Sequence, residues 1–136
     1  MSETLLADRI EIADLFTRFA TFLDERRFED APTIYTDDVT VHSPRAGDIR
    51  GIDKVVGFAR QSYVEGVHTQ HITTDLLVDV DGDQATASAN SLVYYHRDGE
   101  PPHVASGLRL AATVARTPAG WRLSEVAISL AWTRED

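Results

Sequence analysis

The stretch His68-Thr69-Gln70-His71-Ile72-Thr73-Thr74-Asp75-Leu76-Leu77-Val78-Asp79-Val80 marks the one change of character in this 136-residue chain. Up to about residue 67 the apolar residues recur mostly at helical spacing, and from there on they mostly alternate. Ile72, Leu76, Val78 and Val80 fall on one side of an extended strand, and Asp81-Gly82 turns the chain back. Ala85 to Tyr95, Val104 to Arg116 and Trp121 to Trp132 read as three further strands of an antiparallel meander. Asp98-Gly99-Glu100-Pro101-Pro102 and Thr117-Pro118-Ala119-Gly120 separate them. Both faces of these strands carry apolar residues.

Upstream, residues ~5–24 read as one long helix. Leu6, Ile10, Ala13, Phe16, Ala20 and Leu23 recur at three- and four-residue steps, and Ile12, Leu15, Phe19 and Phe22 broaden the stripe. Phe28 to Tyr35 reads as a short second helix with Pro32 in its first turn. Thr36-Asp37-Asp38 reads as a turn, Val39 to His42 as a short strand, and Ser43 to Asp48 as loop. A third helix is expected from Gly51 to about Tyr63, with Ile52, Val55, Val56 and Ala59 inward. A helical half followed by a strand half predicts an α+β fold, a single domain over residues 1–136. The sheet is expected to be strongly curved, with the N-terminal helices on its concave face and an apolar hollow between the two.

Composition narrows the function. With 43% hydrophobic and 26% charged residues the chain is an ordinary globular protein. Twenty-two acids against 13 bases give a net charge of −9, which argues against nucleic acid or an anionic membrane as partner. No cysteine is present, so disulfides and thiolate metal sites are excluded. Neither a secretory signal nor a membrane-length apolar run is visible, and a cytoplasmic location is the expectation.

Asp24 closes the apolar run Leu15-Phe16-Thr17-Arg18-Phe19-Ala20-Thr21-Phe22-Leu23. An acid at a helix C-terminus meets the negative end of the dipole, and apolar neighbours limit its hydration; both favour its protonated form and suit a general base. A solvated turn residue fits the same local sequence. His71, 47 residues on, is a candidate partner for holding or relaying the proton.

The order of elements and several local motifs resemble the SnoaL-like branch of the nuclear transport factor 2-like superfamily. Within it, the chain is most similar to the scytalone dehydratase and hexachlorocyclohexane dehydrochlorinase group. The motifs are Ala7-Asp8-Arg9-Ile10-Glu11-Ile12, Leu23-Asp24-Glu25-Arg26, Tyr35-Thr36-Asp37-Asp38-Val39, Gly51-Ile52, His68 to Asp75, Asp81-Gly82-Asp83-Gln84-Ala85 and Gly120-Trp121-Arg122. The resemblance implies an α+β cone in which Asp24 and His71 point inward as an acid/base dyad. Strict alternation, however, groups His71 with Thr73 and Asp75, opposite Ile72, Leu76 and Val78. A regular strand would therefore turn His71 away from the packed side, and a bend after it would turn it back.

Further candidates surround the dyad. Scytalone dehydratase recruits a second histidine and tyrosines, for which Tyr35, Tyr94 and His96 are on offer. Tyr63 and Trp132 are candidates for the pocket mouth, or else core aromatics. Arg109, inside Leu108-Arg109-Leu110-Ala111-Ala112, is either a surface or interface arginine or a buried cation for an anionic intermediate, with Glu125 as its possible partner. Asp38 is a pocket carboxylate or a turn cap. His42 is within reach of the rim, and His103 flanks a turn. His68 and His71 are three apart, as in a two-histidine metal pair, but no third ligand is evident and no metal is expected. No phosphate-binding glycine loop is present, and no cofactor is expected.

Two functions are consistent with these features. One is a cofactor-independent enzyme that abstracts a proton from a small, mostly apolar or polycyclic molecule, leading to elimination, isomerisation or cyclisation. The other is a non-catalytic binding or dimerisation module of the same fold. Apolar residues on both sheet faces lead to the further expectation of a homodimer or homotrimer.

Overall fold

A computed structural model describes residues 2–136. Helix α1 spans Glu3–Asp24. It begins earlier than the apolar periodicity because Ser2 caps it, its side chain accepting from the Leu5 N–H at 3.0 Å. Its buried face is Asp8, Ile12, Leu15, Phe16, Phe19 and Phe22. The helix ends with the Arg27 N–H donating to the Phe22 carbonyl at 3.0 Å, a Schellman-type closure. Arg26 occupies the left-handed position of that closure, at φ 54°.

Residues Phe28–Thr33 form a 3-10 helix with Pro32 inside it. The expected second helix is therefore tighter and shorter, and Tyr35 instead opens strand β1, Tyr35–Ser43. The predicted turn at Thr36-Asp37-Asp38 lies within that strand as a bulge. Tyr35 pairs with Leu123 and Thr40 with Glu125, so five steps along β1 match two along its neighbour. The predicted loop 43–48 is the hairpin into β2, Gly47–Arg50, which pairs antiparallel with β1. Helix α2 covers Ile52–Gln61 and leaves Tyr63 beyond its end. Gly51 stands before it at φ 94°, a conformation closed to most side chains, and its N–H donates to the Val39 carbonyl at 2.7 Å.

Strands β3 (Val67–Asp81), β4 (Gln84–Arg97), β5 (Val104–Thr117) and β6 (Gly120–Glu135) complete the meander. The sheet order is β2-β1-β6-β5-β4-β3, antiparallel throughout except where β1 runs parallel to β6. The N-terminal helices thus pack on a curled, unclosed, six-stranded sheet, the expected α+β cone. Its core centres on Trp121, Phe22, Ile12, Ile34, Leu123 and Val39, all essentially inaccessible. Among the described residues, no helix is long and apolar enough to cross a membrane.

A polar clasp closes the end of the cone near the start of α1. The buried Asp8 carboxylate accepts two bonds from Arg116, at 3.0 and 2.7 Å, and one from the Trp121 indole at 3.1 Å. The Arg116 hydrogen bonds, then that of Trp121, hold the Asp8 carboxyl below its usual range.

Candidate functional site

About 24 Å along α1 from Asp8, by helical rise, the chain brings Asp24 and His71 together. The Asp24 Oδ1 lies 2.5 Å from the His71 Nδ1, and the His71 backbone N–H donates to Oδ2 at 2.8 Å. The Thr69 hydroxyl donates to Oδ1 at 2.9 Å. The two side chains keep 21% and 15% of their accessible surface, so the pair is largely enclosed yet reachable. Three donors from one strand edge thus converge on one carboxylate. Thr69 was not singled out in the sequence, although its position two residues before His71 on an alternating strand puts both on one face.

The alternation problem is resolved by a single residue. Between Thr74 and Leu77 the β3–β4 register slips, three steps on β3 against two on β4, and Asp75 takes φ 56°. Before the slip Thr69, His71 and Thr73 share a face with their partners Tyr95, Val93 and Ser91. After it Leu76, Val78 and Val80 take over that face. The bulge therefore puts His71 on the same side as Val78, and that side carries the core. Asp75 is held there by the Asn90 amide at 2.9 Å.

The row carrying His71 runs on through Val93, Ser106 and Thr133 across four strands. Ser106 and Thr133 share a hydrogen bond of 3.0 Å. The next row is Thr73, Ser91, Leu108 and Leu130. The concave face beside the dyad is thus lined by apolar side chains and small hydroxyls. No group among the described residues hydrogen-bonds the His71 Nε2.

The other candidates divide. Tyr35 is buried, edge-on to Phe19 and Phe22, and burial pushes its phenol far up, so it stays protonated. Tyr63 lies just outside, its ring beneath the Arg26 guanidinium at 3.6 Å. Tyr94, Arg109 and Trp132 are not brought to the dyad: alternation puts Tyr94 and Arg109 on the opposite face, and a register slip between Leu130 and Trp132 against β5 puts Trp132 there as well. Tyr94 pairs with Gln70 and lines a shallow depression with Pro102, His103, Val104, Ala105, Arg134 and Asp136. Arg109 pairs with Asn90 and Ser129, and Leu110 beside it points into the core. The Trp132 indole lies over Gly107, where a Cβ would come within 2.2 Å of the indole nitrogen. A second depression, about 250 Å³, sits between α1 and the 3-10 helix, and neither depression is lined by Asp24 or His71.

Glu125 meets His42, not Arg109. The His42 Nε2 lies 2.9 Å from Glu125 and its Nδ1 2.6 Å from Asp48. These two hydrogen bonds, Glu125's first, raise the imidazole's affinity for its proton. His68 and His71 diverge: the His68 Nε2 meets Asp98 at 2.6 Å while His71 turns to Asp24. Asp38 is exposed in the β1 bulge.

Comparison with known proteins agrees with this fold. The SnoaL-like domain family matches residues 4–127. An uncharacterised protein of Mycobacterium tuberculosis is 29% identical over 128 residues, which span 90% of this chain and 85% of that protein. Among solved structures the chain is similar to the hexachlorocyclohexane dehydrochlorinase LinA type 3 of Novosphingobium barchaimii. That match has a TM-score of 0.84 at 16% identity and covers 96% of this chain and 91% of the other. A candidate scytalone dehydratase of Novosphingobium aromaticivorans gives 0.86 at 16% identity, covering 100% and 92%. At such identities the likeness is one of fold.

Proposed function

Because the chain belongs to the SnoaL-like domain family, and because its cone encloses a hydrogen-bonded Asp–His pair, we propose that it is a cofactor-independent acid–base enzyme acting on a small, mostly apolar molecule. The single observation that carries the reading is the 2.5 Å contact between the Asp24 Oδ1 and the His71 Nδ1, which leaves Nε2 without a partner among the described residues. Asp24 fixes the tautomer and orientation of the ring, Nε2 takes the proton from an activated C–H, and the carboxylate stabilises the imidazolium that forms. The electron pair released from carbon expels a leaving group, giving a dehydratase or a dehydrohalogenase. Where there is no leaving group, it shifts a double bond or closes a ring. The LinA resemblance favours elimination among these. The hydroxyls of Ser91, Ser106 and Thr133 supply the polar spots on an otherwise apolar face.

The test uses a generic carbon acid, 5-nitrobenzisoxazole, whose ring opens on loss of one proton. Wild-type protein should turn it over faster than free imidazole at equal concentration. Asp24→Asn and His71→Ala should each lose roughly 10²-fold or more, and the double variant should lose no more than the worse single one, as for groups acting as a unit. His68→Ala, whose ring is tied to Asp98, should be nearly silent. Equal loss from His68→Ala, or additive small losses from the pair, would sink the dyad.

A further inference from the structure

Arg26 takes the place at the end of α1 that glycine usually fills. In a Schellman closure the residue after the cap adopts the left-handed conformation, which penalises any side chain with a Cβ. Arg26 adopts it at φ 54°. Such strain persists where surrounding contacts impose it, and it gathers at functional sites. The contacts here are specific. The Arg26 Nη2 donates to the Val67 carbonyl at 2.6 Å, and the guanidinium carbon lies over the Tyr63 ring, 3.6 Å from its centroid.

These contacts continue the dyad's own. Val67, Thr69 and His71 are alternate residues at the start of β3. Asp24 takes the hydroxyl of Thr69 and both N–H groups of His71's side of the seam, while Arg26 takes the carbonyl of Val67. The last turn of α1 is therefore stitched to β3 by both residues, two apart in sequence. Arg26 also secures Tyr63, in the connection from α2 to β3. Without it, the remaining hydrogen bonds from the helix end to the start of β3, among the described residues, are those of the carboxylate that has to serve His71.

The geometry points to Arg26 as a positioning residue of the Asp24–His71 site: it fixes the helix end and the Tyr63 connection so that the Asp24 carboxylate stays registered on the imidazole. This role rests on the acid–base reading of the dyad. Arg26 itself does not touch the reacting atoms.

Arg26→Gly and Arg26→Lys separate the role from a general contribution to folding. Glycine suits the left-handed position, so Arg26→Gly should keep its thermal midpoint at or near that of the wild type. In the proton NMR spectrum the low-field resonance of the imidazole N–H shared with Asp24 should broaden or vanish. Turnover of 5-nitrobenzisoxazole should fall between about 10- and 100-fold, the loss expected from misplacing a catalytic group by a fraction of a helix turn. The fall should lie in kcat, with KM barely changed. Lysine reaches the Val67 carbonyl but lacks the planar guanidinium, so Arg26→Lys should recover part of the resonance and of kcat. A sharp, unshifted resonance with unchanged kcat in Arg26→Gly overturns the assignment. Losses of activity in both variants that merely follow a fall in thermal midpoint overturn it as well. If the wild type itself turns nothing over but its resonance is present and disappears in Arg26→Gly, the positioning role stands and the acid–base reaction fails.

Discussion

His42 shows what a single side chain can report about its surroundings. With carboxylates on both ring nitrogens, its charged form is favoured in the folded protein, where its pKa lies above 6.5. The sign follows from linkage: a group whose affinity for its proton rises on folding stabilises the fold fully below its unfolded value. That stability is lost as pH climbs through the folded value. Thermal unfolding of the wild type and of His42→Gln should therefore differ most near pH 6 and converge toward alkaline pH. The site is exposed and screened by solvent, so the difference should be small and should shrink further in salt. A difference that grows with pH would contradict the pairing. In the sequence only the position of His42 near a rim was visible. Its partners come from β2 and from β6, 83 residues away, and no local pattern announces them. The dyad was more legible, because a helix end and a strand start are both local signals. Thr69 and Arg26 were harder to see, since their importance lies in which backbone and carboxylate atoms they reach.

At the scale of an element, β3 depends on one extra residue. The slip at Asp75 is what sends both the leucine–valine half and the histidine half of the strand to the same face. Left-handed backbone at a non-glycine costs on the order of 1–2 kcal/mol, which the Asn90 amide on the Asp75 carboxylate partly offsets. Deleting Asp75 should regularise the pairing and reverse the face of every residue on one side of the deletion. The apolar half is anchored by Val78 in the core, so the half that flips should be the one with His71. The shared Asp24–His71 proton resonance should then disappear while a folded spectrum remains; its survival would show that the bulge does not set the facing. Alternation alone is silent on this point, because a bulge is invisible to a period-two pattern. The same blindness explains the other boundary errors. Asp37-Asp38 looks like a turn and is a bulge, and Ser43 to Asp48 looks like a loop but carries the hairpin into β2. The longer elements were legible because their periodicity is sustained: α1 and the four strands of the meander fall within a few residues of expectation.

For the molecule as a whole, the outer face of the sheet is left without helices. Ile72, Leu77 and Trp132 stand there 41%, 69% and 47% exposed. Apolar side chains gathered on an uncovered sheet face favour association, and a homodimer or homotrimer is the expected state. Light scattering at micromolar concentration should give a multiple of the 15.1 kDa chain mass, and Leu77→Asp together with Ile72→Glu should shift it toward the monomer. A monomeric wild type would show that these side chains are simply solvated. The fold class itself was readable from the halves of the sequence, since helices that cover one face of a meander have few other arrangements. The parallel pairing of β1 with β6 was not, because it joins strands some 85 residues apart and leaves no trace in either.

That pairing also gives the chain a timetable. β6 follows every other strand in sequence, yet it sits between β1 and β5 in space. Until it is in place, the hairpin of β1 and β2 has no strand to dock on, and β5 has a bare edge. Contacts that join distant parts of a chain slow its folding, and a ribosome emits residues one after another. The helices and the β3–β5 ribbon can form while the chain is still emerging, but the sheet is joined into one piece only when the last strand slots between its two halves. For most of its synthesis the nascent protein is two fragments waiting for a keystone.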